Sequence, residues 1–97
     1  MIEREYITNL YLIYKELLNE KERNYFEYYY FEYYSLGEIA DLYEVSRSYA
    51  SKYLNQITSK LTKFEEILKI NDRNKKIKEL LNNIKDEKIK SKIEELL

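Results

Sequence analysis

The side chains with the most binding chemistry to offer lie in one stretch. Arg47, Ser48, Ser51, Lys52, Asn55 and Gln56 recur at the spacing of one exposed helical face. Guanidinium and ammonium groups neutralise phosphates, and Arg, Lys, Asn and Gln hydrogen-bond to base edges in a DNA major groove. Such a face binds; it does not make or break bonds. The chain has no cysteine and no histidine, which excludes disulfides, thiolate or imidazole metal sites, and Cys or His nucleophiles and bases. Glu38 and Asp41 stand three apart, but helix capping and solvation explain them better than paired acid–base catalysis. No enzyme activity, cofactor or metal site is expected.

The elements that would position this face are legible around it. The stretch SLGEIADLYEVSRSYASKYL, residues 35–54, has the layout of a helix-turn-helix. Ser35 and Glu38 form an S-x-x-E capping box that opens a short helix. Leu36, Ile39, Ala40 and Tyr43 give that helix one apolar side. Glu44-Val45-Ser46 interrupts it, with Val45 as an apolar plug and Ser46 as the N-cap of a second helix. Ala40 is small enough to let the two helices approach closely. Beyond Ala50, an apolar pattern of Tyr53, Leu54, Ile57, Leu61, Phe64 and Leu68 continues without Gly or Pro. It predicts one continuous helix from Arg47 to about Ile70, roughly 35 Å long at 1.5 Å per residue.

The rest of the chain also reads as helical. There is no proline and a single glycine, Gly37, among 97 residues, so little interrupts helices and the fold class is all-α. Ile7, Leu10, Tyr11, Tyr14, Leu17 and Leu18 predict a first helix over 3–18. Asn19, followed three residues later by Glu22, opens a second helix running to about Glu32. That helix holds the run YFEYYYFEYY, residues 25–34. Phe26, Tyr29, Tyr30 and Tyr33 form one face, while Tyr25, Tyr28 and Tyr34 point elsewhere. A helix apolar around most of its circumference is covered on more than one side. Either it is sandwiched within the chain, or its second side meets a partner. A stacking platform for single-stranded nucleic acid is disfavoured by Glu27 and Glu32 beside the rings. The wealth of Tyr, Lys, Ile and Asn also fits AT-rich codon usage. Asn71-Asp72 is expected to end the long helix and cap the next. Two short amphipathic helices joined near Lys85-Asp86, or alternatively a single bent helix, then carry Ile77, Leu80, Leu81 and Ile84, followed by Ile89, Ile93, Leu96 and Leu97.

Size and charge bound the function further. The length fits one domain over residues 1–97, divided into N-terminal helices (1–34), helix-turn-helix (35–56) and a C-terminal extension (57–97). Net charge is −1, from 17 basic and 18 acidic residues, so no global positive field holds the chain to nucleic acid. Residues 1–34 carry four basic and seven acidic side chains, and residues 35–64 four and three. No window approaches the roughly 20 apolar residues of a membrane span, and no signal segment is visible at the N-terminus, so a cytoplasmic protein is expected. The long apolar stripe predicts a homodimer, with Tyr25, Tyr28, Tyr34, Leu61, Phe64 and Leu68 at the partner interface.

The segment LLNEKER at residues 17–23, the Tyr-rich block ending YSLGEIA at Ala40, Val45-Ser46-Arg47 and the long helix after them resemble the YlxM family of small bacterial helix-turn-helix proteins. This resemblance spans nearly the whole chain. The SLGEIA and VSR segments are also similar to region 4 of bacterial sigma factors, over about residues 17–62. The YlxM resemblance implies a role as an accessory or regulatory protein of the signal recognition particle pathway, binding particle protein, with the particle RNA as a second candidate ligand. The sigma resemblance implies the alternative, a transcriptional regulator that binds duplex DNA. Sigma recognition helices carry several arginines in their first two turns, whereas Arg47 here is followed by Ser48, Tyr49, Ala50, Ser51 and Lys52.

Overall fold

A computed structural model describes residues 3–97. Every element it shows there is helical. The order is α1 (Arg4–Tyr14), a 3₁₀ turn (Lys15–Leu17), α2 (Glu20–Tyr30), α3 (Leu36–Leu42), α4 (Arg47–Leu68), α5 (Ile70–Leu81) and α6 (Glu87–Glu94). The core gathers Ile7, Leu10, Tyr11, Tyr14 and Leu18 from the first segment, Tyr25 and Phe26 from α2, Ile39 and Ala40 from α3, and Ala50, Leu54, Ile57 and Leu61 from α4. α4 is the spine: α1, α2 and α3 all pack on it, and α5 folds back beside α1.

The starts of α2 and α3 follow from local chemistry. Asn19 accepts a hydrogen bond from Glu22 N at 2.8 Å, and the Glu22 carboxylate accepts one from Asn19 N at 2.9 Å. Ser35 and Glu38 repeat the arrangement at 3.1 and 3.0 Å. Each box satisfies amides that have no partner within their own helix. Ser46 caps α4 by accepting from Tyr49 N at 3.0 Å, and Asp86 caps α6 through Lys88 N and Ile89 N.

Several ends differ from the periodicity. The first helix stops at Tyr14 and passes into the 3₁₀ turn, which leaves Leu17 exposed instead of on the stripe. Arg23 stabilises this stop by donating to the carbonyls of Leu18 at 2.7 Å and Lys15 at 3.3 Å. α2 ends at Tyr30, two residues short of Glu32. α4 ends at Leu68 because Lys69 turns into the left-handed region, φ 54°.

Asn71 and Asp72 do not cap α5; they lie in its first turn, and α5 has no side-chain cap of its own. Its cap comes from outside. The Glu65 carboxylate on α4 accepts from Asn71 N and Asp72 N, each at 3.0 Å. The Tyr14 hydroxyl on α1 accepts from Ile70 N at 3.2 Å. Position 65 of α4 therefore turns inward. The buried stripe runs Ala50, Leu54, Ile57, Thr58, Leu61, Glu65, while Phe64 is half-buried and Leu68 lies outside.

The aromatic helix is sandwiched within the chain. Phe26 stacks on Tyr11 at 4.2 Å between centroids and on Tyr30 at 4.4 Å. Tyr25 stacks on Tyr43 at 4.3 Å and meets Tyr53 at 4.6 Å. Two buried faces satisfy the two apolar sides of α2.

Candidate nucleic-acid interface

The helix-turn-helix is α3, a tight turn and the first turns of α4. The turn closes with two backbone bonds, Val45 N to Ala40 O at 2.9 Å and Glu44 N to Asp41 O at 3.3 Å. This is the paired closure of a left-handed helix end. Glu44 takes the positive φ of 54° there, a position that glycine adopts with less strain. Ala40 and Ala50 are both buried, so small side chains let α3 and α4 meet closely, and Val45 packs half-buried against the core.

α4 then presents its outer face. Arg47, Ser48, Lys52, Asn55 and Gln56 are exposed, and Ser51 is half-buried at one edge. Between Ser46 and Phe64 the chain has four cations, Arg47, Lys52, Lys60 and Lys63, and no carboxylate. In a chain with one more acid than base, that is a local field that favours phosphate. Lys60 is partly spent, because it bridges Glu22 at 2.5 Å. Burial would push the Glu22 carboxyl up, but Lys60 and the Asn19 amide together hold it below its ordinary value.

The two edges of this face carry residues that the periodicity did not single out. On one side, a hollow of about 430 Å³ is lined by Ser51, Leu54 and Asn55 together with Arg4, Tyr29 and Tyr30. The Arg4 guanidinium sits 5.0 Å above the Tyr30 ring and 5.1 Å from that of Tyr33, and donates to Tyr30 O at 2.7 Å. On the other side, the Lys21 ammonium sits 4.9 Å from the Tyr53 ring and donates to the Tyr49 hydroxyl at 3.3 Å. Arg4 and Lys21 escape a sequence reading because each is a single charge far along the chain from α4.

The residues expected at a partner interface separate into two groups. Tyr25 and Leu61 are both 0% exposed; they belong to the core, since Tyr43 and Tyr53 enclose one and the inward stripe of α4 takes the other. Neither is available to a partner in this fold. Tyr28 and Tyr34 are half-buried and face each other at 4.9 Å. Phe64 is half-buried against Tyr14. Leu68 alone of the six is openly exposed, at 49%. Among the described residues, no cluster of His, Cys, Asp and Glu could hold a metal ion, and no helix is long and apolar enough to cross a membrane.

Residues 1–97 match the family of YlxM / p13 like helix-turn-helix proteins designated UPF0122. The chain belongs to the UPF0122 family. A UPF0122 protein of Ureaplasma urealyticum serovar 10 is 39% identical over 94 residues, covering 97% of this chain and 95% of the relative. One from Geobacillus sp. strain WCH70 is 39% identical over 87 residues, 89% and 79% of the two chains. One from Thermoanaerobacter sp. strain X514 is 41% identical over 80 residues, 82% and 68%. The family's description as helix-turn-helix proteins agrees with the arrangement of α3 and α4.

Proposed function

We propose that this UPF0122 protein is a non-catalytic accessory or regulatory protein of the signal recognition particle pathway, working in the cytoplasm by binding particle protein and RNA. The pathway comes from the YlxM resemblance. The observation that carries a binding role is the apolar surface left outside the core at the C-terminal end. Ile67, Leu68, Leu80 and Leu96 are 70, 49, 66 and 82% exposed. The molecule measures 54 × 25 × 24 Å with a radius of gyration of 16.8 Å, against about 12.5 Å for a compact domain of this length. An elongated chain with that much unburied leucine and isoleucine has surface to give to partners. A second copy takes part of it, through Leu68 and the C-terminal helices. The test is binding of the purified chain to the two particle GTPases, alongside the variants Leu80→Glu and Leu96→Glu. Binding lost in the variants supports the reading; no binding by the parent chain, and no effect on GTP hydrolysis, refutes it.

A second reading, a helix-turn-helix regulator that binds duplex DNA, is favoured by the carboxylate-free stretch of α4 between Ser46 and Phe64. Its test is the pair Arg47→Ala and Lys52→Ala, each of which should weaken duplex binding that itself falls steeply with salt. Duplex affinity unchanged in both variants would count against it.

A further inference from the structure

We propose that Arg4 and Lys21, which lie outside the helix-turn-helix, grip the two phosphate strands that bound the major groove of a B-form DNA duplex, with α4 lying between them. This rests on the duplex-binding reading of α4.

The geometry sets the two cations on opposite edges of one helical face. Arg4 shares the lining of a hollow with Ser51 and Asn55. Lys21 is hydrogen-bonded to Tyr49. At 3.6 residues per turn, Asn55 and Tyr49 lie about 120° apart around the α4 axis. The arc between them holds Ser48, Lys52 and Gln56, all exposed. The hydrogen-bonding residues are thus flanked by one positive charge on each side.

The dimensions agree with a duplex. An α-helix with its side chains is about 10–12 Å across, and the B-DNA major groove is about 12 Å wide. A helix seated there brings groups on its two flanks to the two backbones. A-form RNA has a deep, narrow major groove that does not admit such a helix, which commits the surface to DNA.

Both cations are held in place by aromatic rings. Arg4 lies 5.9, 5.0 and 5.1 Å from the rings of Tyr29, Tyr30 and Tyr33. Lys21 lies 5.9, 5.5 and 4.9 Å from those of Tyr25, Tyr49 and Tyr53. A long side chain fixed in advance loses less freedom when it meets a phosphate. Glu3 also lines the hollow beside Arg4, and its carboxylate works against that charge. The tyrosine-rich block thereby acquires a role beyond the core, since Tyr29, Tyr30 and Tyr33 set the guanidinium at the groove edge.

The experiment is a salt titration of the full chain on a mixed-sequence DNA duplex and on an RNA duplex of the same sequence. Each phosphate contact contributes about 0.9 to the slope of log affinity against log salt. Arg4→Gln and Lys21→Gln should each lower that slope by about 1, and the double variant by about 2. Arg4→Lys and Lys21→Arg, which keep the charge, should retain the parent slope and guard against a simple folding defect. RNA binding should be weaker and indifferent to all four changes. If Arg47→Gln and Lys52→Gln lower the slope but the Arg4 and Lys21 changes do not, the α4 reading stands and the flanking contacts are refuted. If no duplex binds even at low salt, both fall. RNA binding that matches DNA and depends on Arg4 and Lys21 would overturn the choice of DNA.

Discussion

The Tyr14 hydroxyl donates to the Glu65 carboxylate at 2.6 Å, across 51 positions of sequence. The same hydroxyl accepts from Ile70 N, and the same carboxylate accepts from Asn71 N and Asp72 N. One tyrosine and one glutamate therefore join α1, α4 and the start of α5. Glu65 is 8% exposed, and no lysine or arginine pairs with it among the described residues. Its charge is met by three donors and by the positive end of α5. The start of α5 is anchored at this junction.

Breaking the junction should be costly. Tyr14→Phe removes a donor to Glu65 and leaves Ile70 N without a partner, so a loss of about 1–3 kcal/mol is expected. Glu65→Ala strips two amides and the tyrosine hydroxyl of their acceptor at once and should cost more than Tyr14→Phe. Denaturant unfolding of both variants measures this. Equal stability of parent and Glu65→Ala would show that α5 is held by something else.

The tyrosine core predicts sensitivity to alkali. Burial, reinforced by the hydrogen bonds to Glu27 and Glu65, pushes the Tyr11 and Tyr14 hydroxyls above their ordinary value of 10.0. Burial does the same to Tyr25, Tyr30, Tyr43 and Tyr53. Each such group favours the fold fully below pH 10, and loses that contribution as pH rises above 10, because the unfolded chain ionises first. Stability should fall progressively above pH 10, and tyrosinate absorbance should rise together with loss of helical signal. Free titration of these six groups, with the helices intact, would contradict the packing.

Gly37 is the one glycine, yet among the described residues the three left-handed positions are taken by Tyr33, Glu44 and Lys69. Gly37 sits in the first turn of α3, where an added Cβ would meet only Ser35 Oγ, at an ordinary 3.8 Å. Gly37→Ala should stabilise the protein by about 0.5–1 kcal/mol through helix propensity. A raised midpoint in thermal unfolding is expected; a lowered one would mean that α3 needs backbone freedom there.

Self-association should be visible as mass. A dimer that covers Leu68 and the C-terminal helices should sediment at twice the chain mass of 12.0 kDa and be weakened by Leu68→Glu. A monomer at every concentration would refute it.

Local rules made much of this fold legible. The boxes at Asn19/Glu22 and Ser35/Glu38 depend on residues three apart, and the exposed positions of α4 follow from its period. The misses share one cause, dependence on distant contacts. Glu65 reads as a surface charge until α5 begins beside it. Leu17 reads as core until Arg23 caps the 3₁₀ turn. Tyr25 reads as surplus aromatic surface until Tyr43 and Tyr53 close over it. Arg4 and Lys21 read as isolated charges until α1 and α2 bring them to the edges of α4.

The most direct test of the proposed pathway role is one binding assay, titrated with salt, on three labelled ligands: a signal recognition particle GTPase, the particle RNA and random duplex DNA. The proposed role requires GTPase or RNA binding that survives an ionic strength of about 0.15 M, where exposed charge pairs are largely screened. DNA binding alone persisting at that salt, and abolished by Arg47→Ala with Lys52→Ala, would contradict it and make the protein a transcriptional regulator.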